Sequence, residues 1–236
     1  MQEPYQGIKQ SNKTILMKVT SRQRPDQLIR TVGKYVEFAS NTKDMVWLFS
    51  FDEDDSTYDY EFNKRLFAIL PHSDLPNVSI YKKQSSGKID AINRDVDRFE
   101  LNWHILLNIS DDQVPVVKGY DDQIRRAMPD DLDASLWFND GVQPRINTQE
   151  IVGRTYYDRF GYIYHPGYKS FFCDNESTEV AGMLGKQVRS KQCIIKHEHY
   201  AAGYPEKMDA LYTANNKHWA HDEALYNSRK KVNFGL

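Results

Sequence analysis

Through its first half the chain alternates short apolar runs with longer amphipathic stretches. Thr14 to Val19, TILMKV, is a continuous apolar run of strand length, the pattern of a strand covered on both faces. The polar loop TSRQRPDQL follows, and then an amphipathic stretch from Leu28 to Ala39 that predicts a helix. The unit repeats: Met45 to Phe51, MVWLFSF, predicts a second strand, the acidic loop DEDDSTYD follows, and a helix through Phe62 to Leu70 stops at Pro71. A third strand is expected at Val78 to Tyr81, a helix over GKIDAINRDVDRF, and a fourth strand in the run that opens WHILLNISDDQV, Trp103 to Val114. Strands alternating with helices predict an α/β fold with a mostly parallel central sheet flanked by helices.

The second half reads differently. Short apolar pieces such as ASLWF, GYIYHP and KSFFC, rich in Tyr and Phe, predict a smaller antiparallel portion with ordered loops. A helix is expected to begin near Ser177, and IIKHEHY has the look of a short strand ending in histidines. Asp209 to Phe234 carries helix formers and alternating charge with little apolar surface, and predicts a solvated C-terminal helix. No repeat or low-complexity tract is visible.

With 236 residues the chain is long enough to bury a continuous core, and one domain with a tail is expected. The net charge is −2, so no global basic field holds a nucleic acid polymer by counterion release. No run reaches the roughly 18 apolar residues that span a bilayer, and the first residues lack the apolar core of a signal peptide. A cytoplasmic location is expected. The only two cysteines, Cys173 and Cys193, are expected to be reduced thiols, two ligands short of a zinc site.

The chemistry-bearing residues gather where strands end. Asp111 and Asp112 close the fourth apolar run; two adjacent carboxylates there repel each other unless a cation or a helix N-terminus relieves them. Ligands of open α/β sheets bind at that carboxyl edge. Asp52, Asp54 and Asp55 would stand at the same edge if the strands are parallel, as part of a site or as a solvated loop with Asx turns. Thr20, Ser21 and Arg22 follow the first strand and offer hydroxyls and a guanidinium to a phosphate. His197 and His199 suit Mn, Zn or Fe, although in an extended segment their rings point to opposite faces. Asp174 and Glu176 precede a helix, where a carboxylate is either a dipole partner or a general base. Tyr156, Tyr157, Tyr162 and Tyr164 offer sugar-stacking faces or ordinary packing.

The order of these pieces, TSRQRP, then DEDDSTYD, GKIDAIN, SDD, CDNE and HEHY with the tail MDALYTANNKHWAHDEALYNSRKKVNF, resembles the nucleotide-sugar glycosyltransferases of the GT-A fold. The inverting, family-2-like branch, in its small bacterial and phage forms, is the nearest in pattern. The resemblance runs from about Thr14 to Phe234 and implies a Rossmann-like sheet in a single domain: a nucleotide-sugar-binding half over about 14–120, an acceptor half over about 121–208 and a helical tail over 209–236. It implies that Thr20 and Arg22 lie near the nucleotide, that Asp52 or Asp54 meets the base or ribose, and that Lys88 and Asn93 line the same pocket. Asp112 would ligate a divalent metal, Mn or Mg, with His197 or His199 completing the shell and Asp111 turned to the donor. Glu176 aligns best with the catalytic base, with Asp174 in reserve. Three departures are visible: SDD stands for the usual Asp-x-Asp, Asn175 splits the acidic pair, and Tyr200 replaces the proline common in HxHP.

The activity so implied is transfer of a sugar from a nucleoside diphosphate sugar to a glycan or other hydroxyl acceptor. A nucleotide-sugar-forming nucleotidyltransferase would share the sheet and the acidic site, but no Gly-rich phosphate loop follows the first strand. A noncatalytic relative that binds nucleotide or glycan would keep the fold alone.

Overall fold

In the computed structural model, which describes residues 13–71, 77–198 and 216–236, seven strands form one sheet in the order β3-β2-β1-β4-β7-β6-β8. The parallel half comprises β1 (Ile15–Thr20), β2 (Met45–Phe51), β3 (Val78–Lys82) and β4 (Ile105–Ile109), each followed on the far side of its crossover by the next. β7 (Ile151–Gly153) runs antiparallel to β4 and to β6 (Ser135–Trp137), and β8 (Gln187–Arg189) lies parallel to β6 at the edge. A separate antiparallel ribbon joins β5 (Gln113–Pro115) to β9 (Ile195–His197).

The apolar runs become buried strands because both faces are covered. Ile15, Met17 and Val19 pack under α1 (Pro25–Phe38), α2 (Tyr60–Ile69) and α4 (Tyr120–Ala127). Leu16 faces the other way, toward α3 (Lys88–Asn93), α5 (Arg154–Phe160) and α6 (Cys173–Met183). α1 buries Leu28, Thr31, Val32 and Tyr35, an i, i+3, i+4, i+7 stripe, and starts with Pro25, whose missing N–H costs nothing in the first turn. Asp59 caps α2 by accepting from the Phe62 amide at 2.9 Å.

Several boundaries differ from the sequence pattern. α3 ends at Asn93, six residues short of the expected helix, because Arg94 turns extended and Asp95 is left-handed. α6 begins at Cys173, four residues before Ser177. GYIYHP and KSFFC form turns with no strand, and Tyr156, Tyr157 and Tyr164 are buried in the core on that side. The C-terminal helix α7 (Trp219–Lys230) is anchored as well as solvated: Asp222 within it and Phe234 beyond it are buried. Cys173 and Cys193 are free thiols, and no described helix is long and apolar enough to cross a membrane.

At Gly153 the end of β7 passes so close to the neighbouring turn that an added Cβ would lie 2.1 Å from the Leu132 carbonyl oxygen. Backbone cannot swing aside as a side chain can. Gly153→Ala is expected to destabilise the fold by about 1–3 kcal/mol, an overpacking cost read by denaturant unfolding; an unchanged midpoint would contradict the contact.

Candidate active site

Strand order reverses between β1 and β4, and the loops at their carboxyl ends converge outside that point. β1 ends at Thr20, which sits beside Ser50 of β2. Ser21 then donates a hydrogen bond to Asp111 just past β4 and accepts one from the Tyr58 hydroxyl at 2.6 Å. Arg24 reaches the other Asp111 oxygen at 3.2 Å, and Thr31 donates to the Asp111 carbonyl at 2.6 Å. Burial first, then the charge of Asp112, pushes the Asp111 carboxyl up to about 6 against the pull of Ser21 and Arg24.

Asp112 is buried, and its Oδ2 lies 3.3 Å from His197 Nε2. The β5–β9 ribbon brings them together: Gln113 pairs with His197, and the Glu198 amide donates to the Asp112 carbonyl at 2.7 Å. On its other side His197 Nδ1 is 3.8 Å from Asp140 Oδ2. Burial disfavours the imidazolium, but the hydrogen bonds to Asp112 and Asp140 outweigh it and push His197 up to about 9. Asp140 shows the converse: burial would raise it, and donors from His197, Thr148, Gln143 and Val142 hold it down at about 2. No trio of His, Cys, Asp or Glu in metal-holding geometry is present among the described residues, and His199 lies outside them.

The acidic loop after β2 is organised around Arg22. Its guanidinium forks onto Asp54 at 2.7 and 2.8 Å and reaches Asp52 at 2.6 Å. Asp52 is buried and also accepts from the Ser85 amide, whereas Asp54 is exposed; Asp55 caps the turn through Gln23 and Thr57. Beneath this edge Lys18 is fully buried on β1, donating to Ser50 at 2.5 Å and to the Ala91 carbonyl of α3 at 3.3 Å, while Ser50 donates to Asp95. Desolvation lowers Lys18 to about 7, with Asp95 pulling the other way.

Lys88 opens α3 with its side chain exposed, and its charge is felt by both Asp174 and His197. Asn93 staples a turn. Its amide bonds the Tyr164 carbonyl at 2.6 Å and accepts from the Ile163 and Tyr164 amides at 3.0 Å, stapling that turn to α3.

The two acidic candidates of α6 point to different neighbours. Glu176 is buried, its oxygens taken by the Arg229 fork at 2.8 and 2.8 Å and by the Tyr168 hydroxyl at 2.7 Å. Asp174 is half-buried in the first turn; burial pushes its carboxyl up, and Lys88, the Asn175 amide and His197 pull it down. Breaking a buried pair costs about 3–5 kcal/mol, and Arg229 keeps some water, so Glu176→Gln is expected to cost about 2 kcal/mol. For a chain of this size that lowers Tm by roughly 4–8 °C; an unshifted melting curve would contradict a structural pair.

Sequence reading missed Asp140, Lys18, Asp222 and Arg229. The FNDG stretch around Asp140 reads as a turn, and a lysine inside an apolar run signals only that its strand is special.

A parallel sheet that reverses direction beyond its fourth strand, with acidic residues at the switch point, is the architecture of the GT-A-like fold. Solved structures of similar architecture include the mannosyltransferase PcManGT from Pyrobaculum calidifontis in complex with GDP-Man and Mn2+, with a TM-score of 0.64 and 10% identity over 81% of this chain and 59% of that one. S. aureus TarS 1-349 in complex with UDP matches at a TM-score of 0.57 and 11% identity over 78% of this chain and 60% of that one. Its complex with UDP-GlcNAc matches at 0.55 and 11% over 78% and 58%. This chain therefore spans about three fifths of the length of these structures. No protein-family model matches the chain, and no curated protein matches it.

Proposed function

We propose that the protein is a metal-dependent glycosyltransferase that moves a sugar from a nucleoside diphosphate sugar to a hydroxyl acceptor with inversion. The observation that carries this reading is the meeting of Asp111, Asp112 and His197 at the carboxyl edge of β1 and β4, with Asp174 and Lys88 in electrostatic reach of His197. Nucleotide sugars in the structures of like fold, GDP-Man with Mn2+ and UDP-GlcNAc, support the donor class.

Asp112 would offer a carboxylate and His197, once the cation displaces its proton, an imidazole, a donor set suited to Mn2+ and shared in part by Mg2+. When bound, the cation would neutralise charge on the departing diphosphate. Asp111, held by Ser21 and Arg24, faces the sugar or ribose, and Thr20, Arg22 and Lys88 serve the nucleotide. Asp52 and Asp54 act through Arg22, which fixes both at the base and ribose end.

Between the two α6 carboxylates we assign the base to Asp174. Glu176 has no oxygen without a strong donor, whereas Asp174 stands on the side of Lys88 and His197. Its carboxylate takes the proton from the acceptor hydroxyl as that oxygen attacks the anomeric carbon on the face opposite the diphosphate. A carboxyl raised by burial is the stronger base for this step.

The test is incubation with a panel of nucleotide sugars and Mn2+. Release of nucleoside diphosphate, abolished by EDTA, is expected. Pyrophosphate exchange would instead make the protein a nucleotidyltransferase, and binding without turnover would make it a nucleotide- or glycan-binding protein.

A further inference from the structure

A buried carboxylate at the start of the last helix is unexplained by the site as described. Asp222 has no exposed surface, yet among the described residues it pairs with no lysine or arginine. Its oxygens gather three consecutive backbone amides: Lys169 at 3.0 and 3.2 Å, Ser170 at 2.8 Å and Phe171 at 2.8 Å. His221 Nδ1 stands 2.8 Å away on the other side. Three aligned N–H dipoles hold a carboxylate tightly and hold themselves to one geometry in return.

The next residue along is Phe172, the N-cap of α6, with φ +61°, a left-handed backbone that a bulky residue adopts only when its surroundings enforce it. Here α7 enforces it. The Phe172 ring lies 4.9 Å from Trp219 and 5.5 Å from Tyr226, so one helix grips the turn by its amides and by this side chain. Asp174 follows two residues later. The same turn reaches α3, because the Lys169 carbonyl accepts from the Ile89 amide at 3.4 Å, next to Lys88.

We propose that Asp222 is a positioning residue for the base: through the Lys169–Phe172 turn it sets where the Asp174 carboxylate meets the acceptor hydroxyl. The inference rests on the assignment of Asp174 given above. Its expected effect falls on the base, since the donor contacts assigned above lie in the loops after β1, β2 and β4, with Lys88 the one assigned donor residue beside this turn.

The experiment compares D222A, D222N and W219A with the wild type and with D174N, measuring kcat, donor KM, calorimetric affinity for Mn2+ with a nucleoside diphosphate, and amide hydrogen exchange. Misplacing a catalytic group by an ångström costs up to about a hundredfold, so D222A is expected to lose about tenfold or more in kcat with donor affinity unchanged. D222N keeps one acceptor oxygen and the shape, and should recover part of the loss. W219A, at an exposed helix position, should fold normally and lose less. Exchange at Lys169, Ser170, Phe171 and the first turn of α6 should speed up in parallel. The inference fails if D222A keeps wild-type kcat while D174N is inactive, or if kcat and the calorimetric stoichiometry of donor binding fall together in proportion to unfolded protein. Should D222A not fold, W219A with unchanged kcat overturns it. Full turnover by D174N would remove the base assignment and this inference with it, whereas loss of only the D222A effect leaves that assignment standing.

Discussion

Asp174→Asn is expected to give a folded protein that binds donor normally and transfers sugar about 10²–10⁴ times more slowly, the usual contribution of a positioned general base. Asparagine keeps the shape and the helix-end position of Asp174 but accepts no proton, so the loss belongs in kcat rather than in donor affinity. The contrast with Glu176→Gln is the informative part. Glu176 is bound by Arg229 and Tyr168, so its replacement should lower the melting temperature first and turnover only as far as the fold loosens. Undiminished turnover in D174N, or a selective loss in E176Q with no change in melting, would reverse the assignment.

Asp112→Ala should act on binding instead. Removing the carboxylate leaves His197 without one of the two groups that hold its charge, and takes one anion from the edge to which the metal and diphosphate are assigned. Perturbing a partner of a metal ligand alone costs about 10–100-fold in affinity, so loss of Asp112 itself should weaken Mn2+ and nucleoside diphosphate by at least about tenfold. Calorimetry with Mn2+ and a nucleoside diphosphate reads both; equal affinities for D112A and wild type would refute the metal role.

The parallel half of the sheet was legible because burial on both faces writes itself into sequence as an unbroken apolar run. Met45–Phe51 is a strand over the residues that the run spans, and β1 and β3 differ from their runs by a residue. The second half was less so. β6, β7 and β8 have three residues each, too short for a period to show, and GYIYHP buries Ile163 and Tyr164 from turns. In the site, Asp111 and Asp112 were findable because two carboxylates ending an apolar run are costly without a reason. Asn93 was expected to line the donor pocket, and what only the fold shows is its bonds to the turn at Ile163 and Tyr164, because an amide at the end of a helix serves a ligand or a backbone turn equally well. The resemblance favoured Glu176 over Asp174 as the base. The group that argues the other way, Arg229, lies 53 residues from Glu176.

The ribbon of β5 and β9 has one more effect. Asp112 and His197 are separated by 85 positions in the chain, and bringing such distant points together costs a free chain about 4 kcal/mol in loop-closure entropy by the (3/2)RT ln n relation. The backbone bonds of Gln113 to Pro115 with Ile195 to His197 meet that cost during folding, before any ligand arrives. Under the metal role proposed above, the two side chains need not search for each other, and a substitution that frays the ribbon, such as one at buried Ile195, is expected to weaken Mn2+ binding with both Asp112 and His197 unsubstituted.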